Sequence, residues 1–179
     1  TRPYMAIYST FLQRTYDQVI HDIALQHLPV VMCLDRAGLV GNDGPTHHGV
    51  FDIGFLSSIP GLTVAAPKDG NELRAMLHHT LAETAPGPVA IRYPRGTIPE
   101  PMRADVDPIA WGTWEYLTPL SDVVILATGT MVAQVRQALA NIPETAERVS
   151  VVNARFIKPW DMAILEEIAG HAKGIMTAE

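Results

Sequence analysis

LTVAAPKDGNELRAMLHHTLAETAPGPVAIRY, residues 62–93, reads as a complete strand, helix and strand in succession. Leu62-Thr-Val-Ala-Ala66 and Val89-Ala-Ile-Arg-Tyr93 are short apolar runs suited to strands buried on both faces. Between them Leu73, Met76, Leu77 and Leu81 recur at helical spacing, Asp69 and Glu72 form a capping box, and Pro86-Gly-Pro88 stops the helix. A helical crossover of this length joins parallel strands.

The same alternation runs outward in both directions. Upstream, Tyr4-Met-Ala-Ile-Tyr8 suits a buried strand, and Leu12, Tyr16, Val19, Ile20, Ile23 and Ala24 mark a helix that Thr10 is placed to cap and Leu28-Pro29 ends. A strand from Val30 to Leu34 and a long glycine-containing loop, Gly38 to Gly49, follow. Downstream, Pro99, Pro101, Asp105, Asp107 and Pro108 break the pattern, which marks a domain boundary. Beyond it, Trp111 to Tyr116 has strand-like composition and Asp122 to Ala127 reads as a buried strand running into Thr128-Gly-Thr130 and a helix. A strand at Val149 to Asn153, a helix from about Asp161 to His171 and a terminal strand from Lys173 complete the series. The expected architecture is α/β, two consecutive units with mainly parallel sheets flanked by helices. The expected division is 1–98, a linker and entry strand over 99–120, and 121–179. The absence of a leader and the strand at the very end suggest a piece of a longer chain.

Composition narrows the function. The chain has 179 residues, 47% hydrophobic and 18% charged, and carries a formal charge of −6. That balance disfavours nucleic acid as a partner, and no apolar run reaches the roughly 20 residues of a membrane span. The single cysteine, Cys33, excludes a disulfide framework, reads as a core residue and suits a reducing cytoplasm.

Ligands in open α/β sheets bind beyond the carboxyl ends of the strands, so polar residues there are the candidates. They are Tyr8, Ser9, Phe11 and Arg14 after the first strand, Asp35, Arg36, Asp43, His47 and His48 after the second, and Arg92 and Arg95 after the fourth. Each arginine alone is read most simply as a solvated charge. Several converging from separate strands repel one another unless an anion lies between them, and the guanidinium fork fits phosphate. His47 is a candidate acid/base group because imidazole titrates near neutrality. Asp43 has two readings, an ordinary Asp-Gly turn or a group that orients substrate hydroxyls. Tyr8 and Phe11 serve either as core aromatics or as a flat surface for a heteroaromatic ring. Adjacent His47 and His48 point apart in extended chain, which disfavours a metal site. Thr128-Gly-Thr130 lacks a full phosphate loop, no Gly-x-Gly-x-x-Gly turn marks a nicotinamide fold, and His21, His27, His78, His79 and His171 read as surface groups.

These residues lie in longer runs. Ala6-Ile-Tyr-Ser-Thr-Phe-Leu-Gln-Arg14, Tyr16-Asp-Gln-Val19, Asp35-Arg-Ala-Gly38, Gly41-Asn-Asp-Gly44, Thr46-His47, Gly49-Val-Phe-Asp52, Ile91-Arg-Tyr-Pro-Arg-Gly96 and Asn153-Ala-Arg-Phe-Ile-Lys-Pro159 together resemble the transketolase-like family of thiamine-diphosphate enzymes over nearly the whole chain. The Tyr8 to Arg14 run and the ending of the fourth strand are similar to the branch that decarboxylates pyruvate and joins the two-carbon unit to D-glyceraldehyde 3-phosphate. They disfavour a transketolase proper or a 2-oxo-acid dehydrogenase β-subunit. A non-catalytic phosphate-binding or assembly domain is the alternative of another class.

The resemblance implies a pyrimidine-binding domain and a partial C-terminal domain of a cytoplasmic homodimer. Its product would be 1-deoxy-D-xylulose 5-phosphate, a precursor for isoprenoids and thiamine. Phe11 is implied to pack on the cofactor's aminopyrimidine, with Tyr8 and Arg14 lining that pocket. Arg36 and Arg95 would take the acceptor's phosphate, Arg92 would be a third such arginine, and Asp43 and His47 would meet its reacting end. The activating glutamate and the Mg2+ and pyrophosphate site would lie in an N-terminal part outside these residues, so the 179 residues alone are expected to be inactive.

Overall fold

The structure is a computed structural model that describes residues 1–82, 87–98, 101–105 and 107–179. Pro86 and Pro99, which the sequence marks as breaks, lie outside the described residues.

In chain order the elements are β1 (Tyr4–Tyr8), α1 (Ser9–Leu12), a 3-10 turn (Gln13–Thr15), α2 (Tyr16–Gln18), a π-helical stretch (Val19–Ala24), β2 (Val31–Asp35), two 3-10 turns (Gly41–Asp43 and Pro45–His47), α3 (Asp52–Ser57), β3 (Thr63–Ala65), α4 (Gly70–Leu81) and β4 (Val89–Arg92). They continue with β5 (Glu115–Tyr116), β6 (Val123–Ala127), α5 (Met131–Ala140), α6 (Pro143–Ala146), β7 (Val149–Asn153), β8 (Phe156–Lys158), α7 (Met162–His171) and β9 (Gly174–Ala178).

Nine strands form two sheets, ordered β1-β2-β4-β3-β8 and β5-β7-β6-β9 among the described residues. β1 to β4 are mutually parallel, as are β6, β7 and β9, which is the α/β pattern the alternation predicts. On β2 the period of two is plain. Val31 and Cys33 face one apolar cluster with Met76, Ile91 and Phe156; Met32 and Leu34 face the other with Leu12, Leu56 and Val64. The first cluster also takes in Val124 and Val152 of the second sheet, Ile168 of α7 and Trp114 just before β5, so both units share one core.

β8 departs from the expected plan. It lies in the second half of the chain but pairs antiparallel with β3 of the first sheet, and Ala66 N donates to Arg155 O at 2.8 Å. Phe156 is thereby fully buried, and Lys158 Nζ donates to the carbonyls of Ser57 (3.0 Å) and Ile59, closing the carboxyl end of α3. Three residues are too few to display an alternation, so this strand is invisible to periodicity.

Polar groups tie the same seam. Glu72 is 5% exposed and accepts from Lys68 N (2.6 Å), Lys68 Nζ (3.3 Å), Asn153 Nδ2 (2.9 Å) and Arg155 Nη1 (3.2 Å). Glu115 accepts from Lys68 Nζ at 2.6 Å and Asn153 Nδ2 at 3.2 Å. Lys68 and Glu72 come from the first unit, the other three from the second. The capping box is therefore half formed: Asp69 Oδ1 accepts from Glu72 N at 2.7 Å, but the Glu72 carboxylate turns to the seam and to Lys68 N.

Other expectations need correcting. Tyr4 and Ala6 are exposed because β1 is an edge strand, and Leu81 at the end of α4 is exposed. Thr10 is inside α1, and the position before the helix is Tyr8, which makes no side-chain cap. The helix after β1 is not one regular α-helix: Thr15 Oγ1 donates back to Leu12 O at 2.8 Å, where the α-turns give way to a 3-10 turn. Only Glu115 and Tyr116 of the 111–116 run join a sheet. His79 is half-buried, stacked on Trp111 with ring centroids 4.7 Å apart. α3 has no counterpart in the sequence reading.

Candidate active site

Parallel register brings the candidates level. Tyr8 at the end of β1 pairs with Asp35 at the end of β2, and Leu34 pairs with Arg92 at the end of β4. The residues after these three ends therefore leave the sheet side by side.

At β2 the chain turns sharply. Arg36 has φ of 62°, uncommon for a residue with a side chain, and its N–H donates to Asp35 Oδ1 at 2.6 Å. Next, Ala37 N donates to Tyr93 O at 3.0 Å. The 38–49 loop is then closed at its neck by reciprocal bonds between Gly38 and Gly49, both 2.9 Å. Gly49 permits this by close approach, since a Cβ there would lie 2.3 Å from Arg36 O and 2.5 Å from Ser9 Oγ. His48 Nδ1 accepts from Val40 N at 3.1 Å and thus serves the loop's own structure. His47 sits apart, its Nδ1 2.9 Å from Thr46 Oγ1.

The loop delivers its side chains onto those after β1. Tyr8 and Phe11 are stacked at 5.2 Å with 14° between planes, and the His47 ring meets Phe11 at 5.4 Å, edge to face. The Arg36 guanidinium lies 3.8 Å above the Tyr8 ring centre, and that of Arg14 lies 5.6 Å from the Phe11 centre. Arg36 also donates from Nε to Asp43 Oδ2 at 2.7 Å and from Nη1 to Asp35 Oδ2 at 2.6 Å. Arg95 Nε reaches the same Asp43 oxygen at 3.3 Å. The Arg36 hydrogen bond, reinforced by the charge of Arg95, holds the Asp43 carboxyl below the usual carboxylate range, and that bond raises Arg36 in turn.

Tyr8, Phe11, Arg14, Arg36, Asp43, His47 and Arg95 are thus one cluster. Arg92 is not part of it: it is 8% exposed and its Nε donates at 2.9 Å to Asp52, itself 1% exposed at the start of α3. A buried arginine paired in this way braces β4 against the helix after the loop. In the sequence Asp52 stands only as the last residue of the Gly49-Val-Phe-Asp52 run, since no local signal there marks its helix. Beside Arg95 opens a cavity of about 690 Å³, with Asp35, Tyr93, Ile98 and Leu73 on one side and Thr130 and Gln134 of the second unit on the other. Among the described residues no group of three or more His, Cys, Asp or Glu could hold a metal, and no helix is long and apolar enough to cross a membrane.

Residues 1–101 match the family described as transketolase, pyrimidine binding domain, and residues 112–179 match transketolase, C-terminal domain. The chain belongs to the transketolase family. Among curated transketolase-family proteins it is 50% identical over 179 residues to 1-deoxy-D-xylulose-5-phosphate synthase 1 of Geobacter sulfurreducens, and 52% identical over 168 residues to a synthase of the same name from Thermus thermophilus. These alignments cover 99% and 94% of the chain but 28% and 26% of the relatives, so the chain spans about a quarter of their length. A solved split-gene transketolase, described as an inactive beta4 tetramer, superimposes with TM-score 0.85 at 26% identity, over 99% of this chain and 57% of that one. A transketolase variant from Pichia stipitis shares the fold with TM-score 0.75 at 19% identity, over 98% of this chain and 26% of that one.

Proposed function

We propose that this chain forms the pyrimidine side of the active site of a thiamine-diphosphate transferase that decarboxylates pyruvate and joins the two-carbon unit to D-glyceraldehyde 3-phosphate, giving 1-deoxy-D-xylulose 5-phosphate. The observation that carries this reading is the pair Arg36 and Arg95, drawn from different strands onto one carboxylate oxygen beside an aromatic step. Two guanidiniums at such a point suit a phosphate. The identity to synthases of that name supports the choice within the family.

The residues present fit the cofactor's ring. Phe11 is 36% exposed at the end of a stacked aromatic pair, which suits offset stacking on an aminopyrimidine, with Tyr8 and Arg14 lining the same pocket. When bound, thiamine diphosphate supplies the carbanion stabilisation that decarboxylation of a 2-oxo acid needs. The protein's part is to position and neutralise. Arg36 and Arg95 take the acceptor phosphate, Asp43 takes its hydroxyl, and His47 moves a proton at its carbonyl oxygen. Arg92 acts by holding β4 in place. Mg2+ and the pyrophosphate belong to a part of the whole protein outside these residues, so the 179-residue chain alone gives no turnover. The whole protein would be a cytoplasmic homodimer, and the working division of the chain is 1–98, 99–120 and 121–179, with β8 crossing it.

The test uses the whole enzyme with thiamine diphosphate and Mg2+. Pyruvate plus D-glyceraldehyde 3-phosphate should yield deoxyxylulose phosphate, whereas a ketose phosphate donor should not react. Arg95→Met should raise KM for the aldose phosphate about 10- to 100-fold while leaving that for pyruvate unchanged. Turnover of ketose donors in preference to pyruvate would make it a transketolase instead. Turnover by residues 1–179 alone would refute the division of labour.

A further inference from the structure

The point between the two arginines is already occupied: Arg36, 17% exposed, is held by two carboxylates, and Arg95, 49% exposed, shares its Nε with one of them. One oxygen of Asp43 already bridges both, at 2.7 Å from Arg36 Nε and 3.3 Å from Arg95 Nε, which is the bridging geometry a phosphate oxygen would adopt between them. Arg36 is committed on its other branch as well, through Nη1 to Asp35 at 2.6 Å. A dianion arriving at this point meets a carboxylate first, and two anions side by side repel. A phosphate that bridges both guanidiniums at this point must displace Asp43.

The loop is built so that Asp43 can leave. It ends a short 3-10 turn bounded by Gly41 and Gly44, both at positive φ (55° and 80°), and a Cβ added to either would meet nothing within 4 Å. The space beside the turn is open, while its backbone is held by Asp43 N to Val40 O at 3.4 Å and Gly44 N to Gly41 O at 3.0 Å, so what can leave is the Asp43 side chain. The neck is fixed by the Gly38–Gly49 bonds and the His48 Nδ1 bond to Val40 N, none of which involves the Asp43 side chain. Rotating Asp43 away costs its contacts with the arginines and leaves the neck intact.

We infer that Asp43 is a stand-in anion, which bridges Arg36 and Arg95 until a dianionic phosphate replaces it, and that this exchange makes the site selective for dianions. The inference rests on the phosphate reading above and deepens it. A monoanion that displaces a monoanionic carboxylate gains no charge neutralisation; a dianion does. This matters because the proposed donor is itself a carboxylate, and two unguarded arginines would bind it in the acceptor's place. Selectivity here takes the form of a built-in competitor rather than an added contact.

The experiment uses the 179-residue chain and calorimetric titration at pH 8 with inorganic phosphate and, separately, acetate as a monoanionic carboxylate. Wild type should bind phosphate and give no measurable heat with acetate. Asp43→Asn should bind phosphate about tenfold more tightly, corresponding to a bridged state that outweighs the open one by about ten to one, and should acquire acetate binding. Arg95→Met should weaken phosphate binding in both backgrounds. If Asp43→Asn leaves phosphate affinity unchanged or reduced while Arg95→Met still weakens it, Asp43 helps build the site and the stand-in role is wrong, with the phosphate reading intact. If Arg95→Met has no effect, or phosphate binds neither protein, the phosphate reading fails and the stand-in falls with it. A measurement on wild type alone guards against a misfolded variant: the Asp43 carboxylate carbon and the Gly44 amide should shift in NMR spectra as phosphate saturates the site. A carboxylate signal that stays in place at saturation overturns the exchange.

Discussion

Replacing Glu72 by alanine should cost about 3 kcal/mol of folding stability, and the number follows from what the carboxylate leaves behind. Removing one partner of a buried ion pair costs roughly 3–5 kcal/mol, mostly because the other partner stays buried without compensation. Here the compensation is partial. Lys68 retains Glu115 at 2.6 Å, Arg155 retains Thr113 O at 2.7 Å and lies 3.9 Å from Glu115, and Asn153 Nδ2 still reaches Glu115 at 3.2 Å. Only Lys68 N loses its acceptor outright, which places the variant at the low end of the range. For a chain of this size the loss lowers Tm by about 6–12 °C. Urea unfolding followed by far-UV circular dichroism and by tryptophan fluorescence measures it. Of the three tryptophans, Trp111 stacks on His79 of the first unit and Trp114 lies in the shared core, so fluorescence reports the seam between the units while dichroism reports the whole. Wild type should give coincident curves, and Glu72→Ala should separate them. Glu72→Met combined with Arg155→Met should recover part of the loss, because apolar replacement of both partners removes the stranded charge. A Glu72→Ala loss below about 1 kcal/mol, the scale of an exposed pair, would show that the network does not hold the units together.

Gly49→Ala should destabilise by roughly 1–3 kcal/mol and weaken phosphate binding, since the new Cβ falls on the Arg36 carbonyl, which is backbone and cannot step aside; unfolding and titration measurements on the variant check both. Phe156→Ala, which empties a fully buried site in the shared core, should cost about 3–5 kcal/mol by denaturant unfolding. Burial pushes the Glu115 carboxyl up, but hydrogen bonds from Lys68 and Asn153 and the charge of Arg155 outweigh it and hold the group below its ordinary 4.5. A carboxyl depressed on folding stabilises fully above its unfolded value and ceases to as pH falls through the folded one. Stability should therefore drop on acidification below about pH 4.5, and a pH series of unfolding curves should find the drop shallower in Glu115→Gln.

Much of this was legible in the sequence because parallel strands buried on both faces leave long apolar runs, and helices between them leave a 3.6-residue period. Tyr8, Arg36 and Arg95 could be grouped from the rule that ligands sit beyond the carboxyl ends of such strands. What could not be read depended on partners distant in sequence. Arg92 and Arg95 are three residues apart at the end of one strand, and nothing local says that one turns inward to Asp52 while the other turns to Asp43. Leu81 keeps helical spacing but ends its helix in solvent. Glu72 looks like the second half of a capping box, and the demand of Arg155, 83 residues on, outweighs the cap. β8 is the extreme case, since its three residues acquire strand geometry only from the edge they cover.

That edge has a practical meaning for anyone dividing the protein. A polypeptide ended at residue 101, where the first family match stops, would carry β1 to β4 and keep every residue of the candidate site. It would also uncover the outer side of β3, whose three residues are buried in the intact chain. An uncapped parallel strand of that kind invites pairing with a second molecule, and such a polypeptide should aggregate even though its own sequence is unaltered. Ended after Pro159, it would bring its own covering strand along. That cut, 58 residues past the end of the first match, would in turn take β9 from β6, so neither boundary leaves every sheet edge covered.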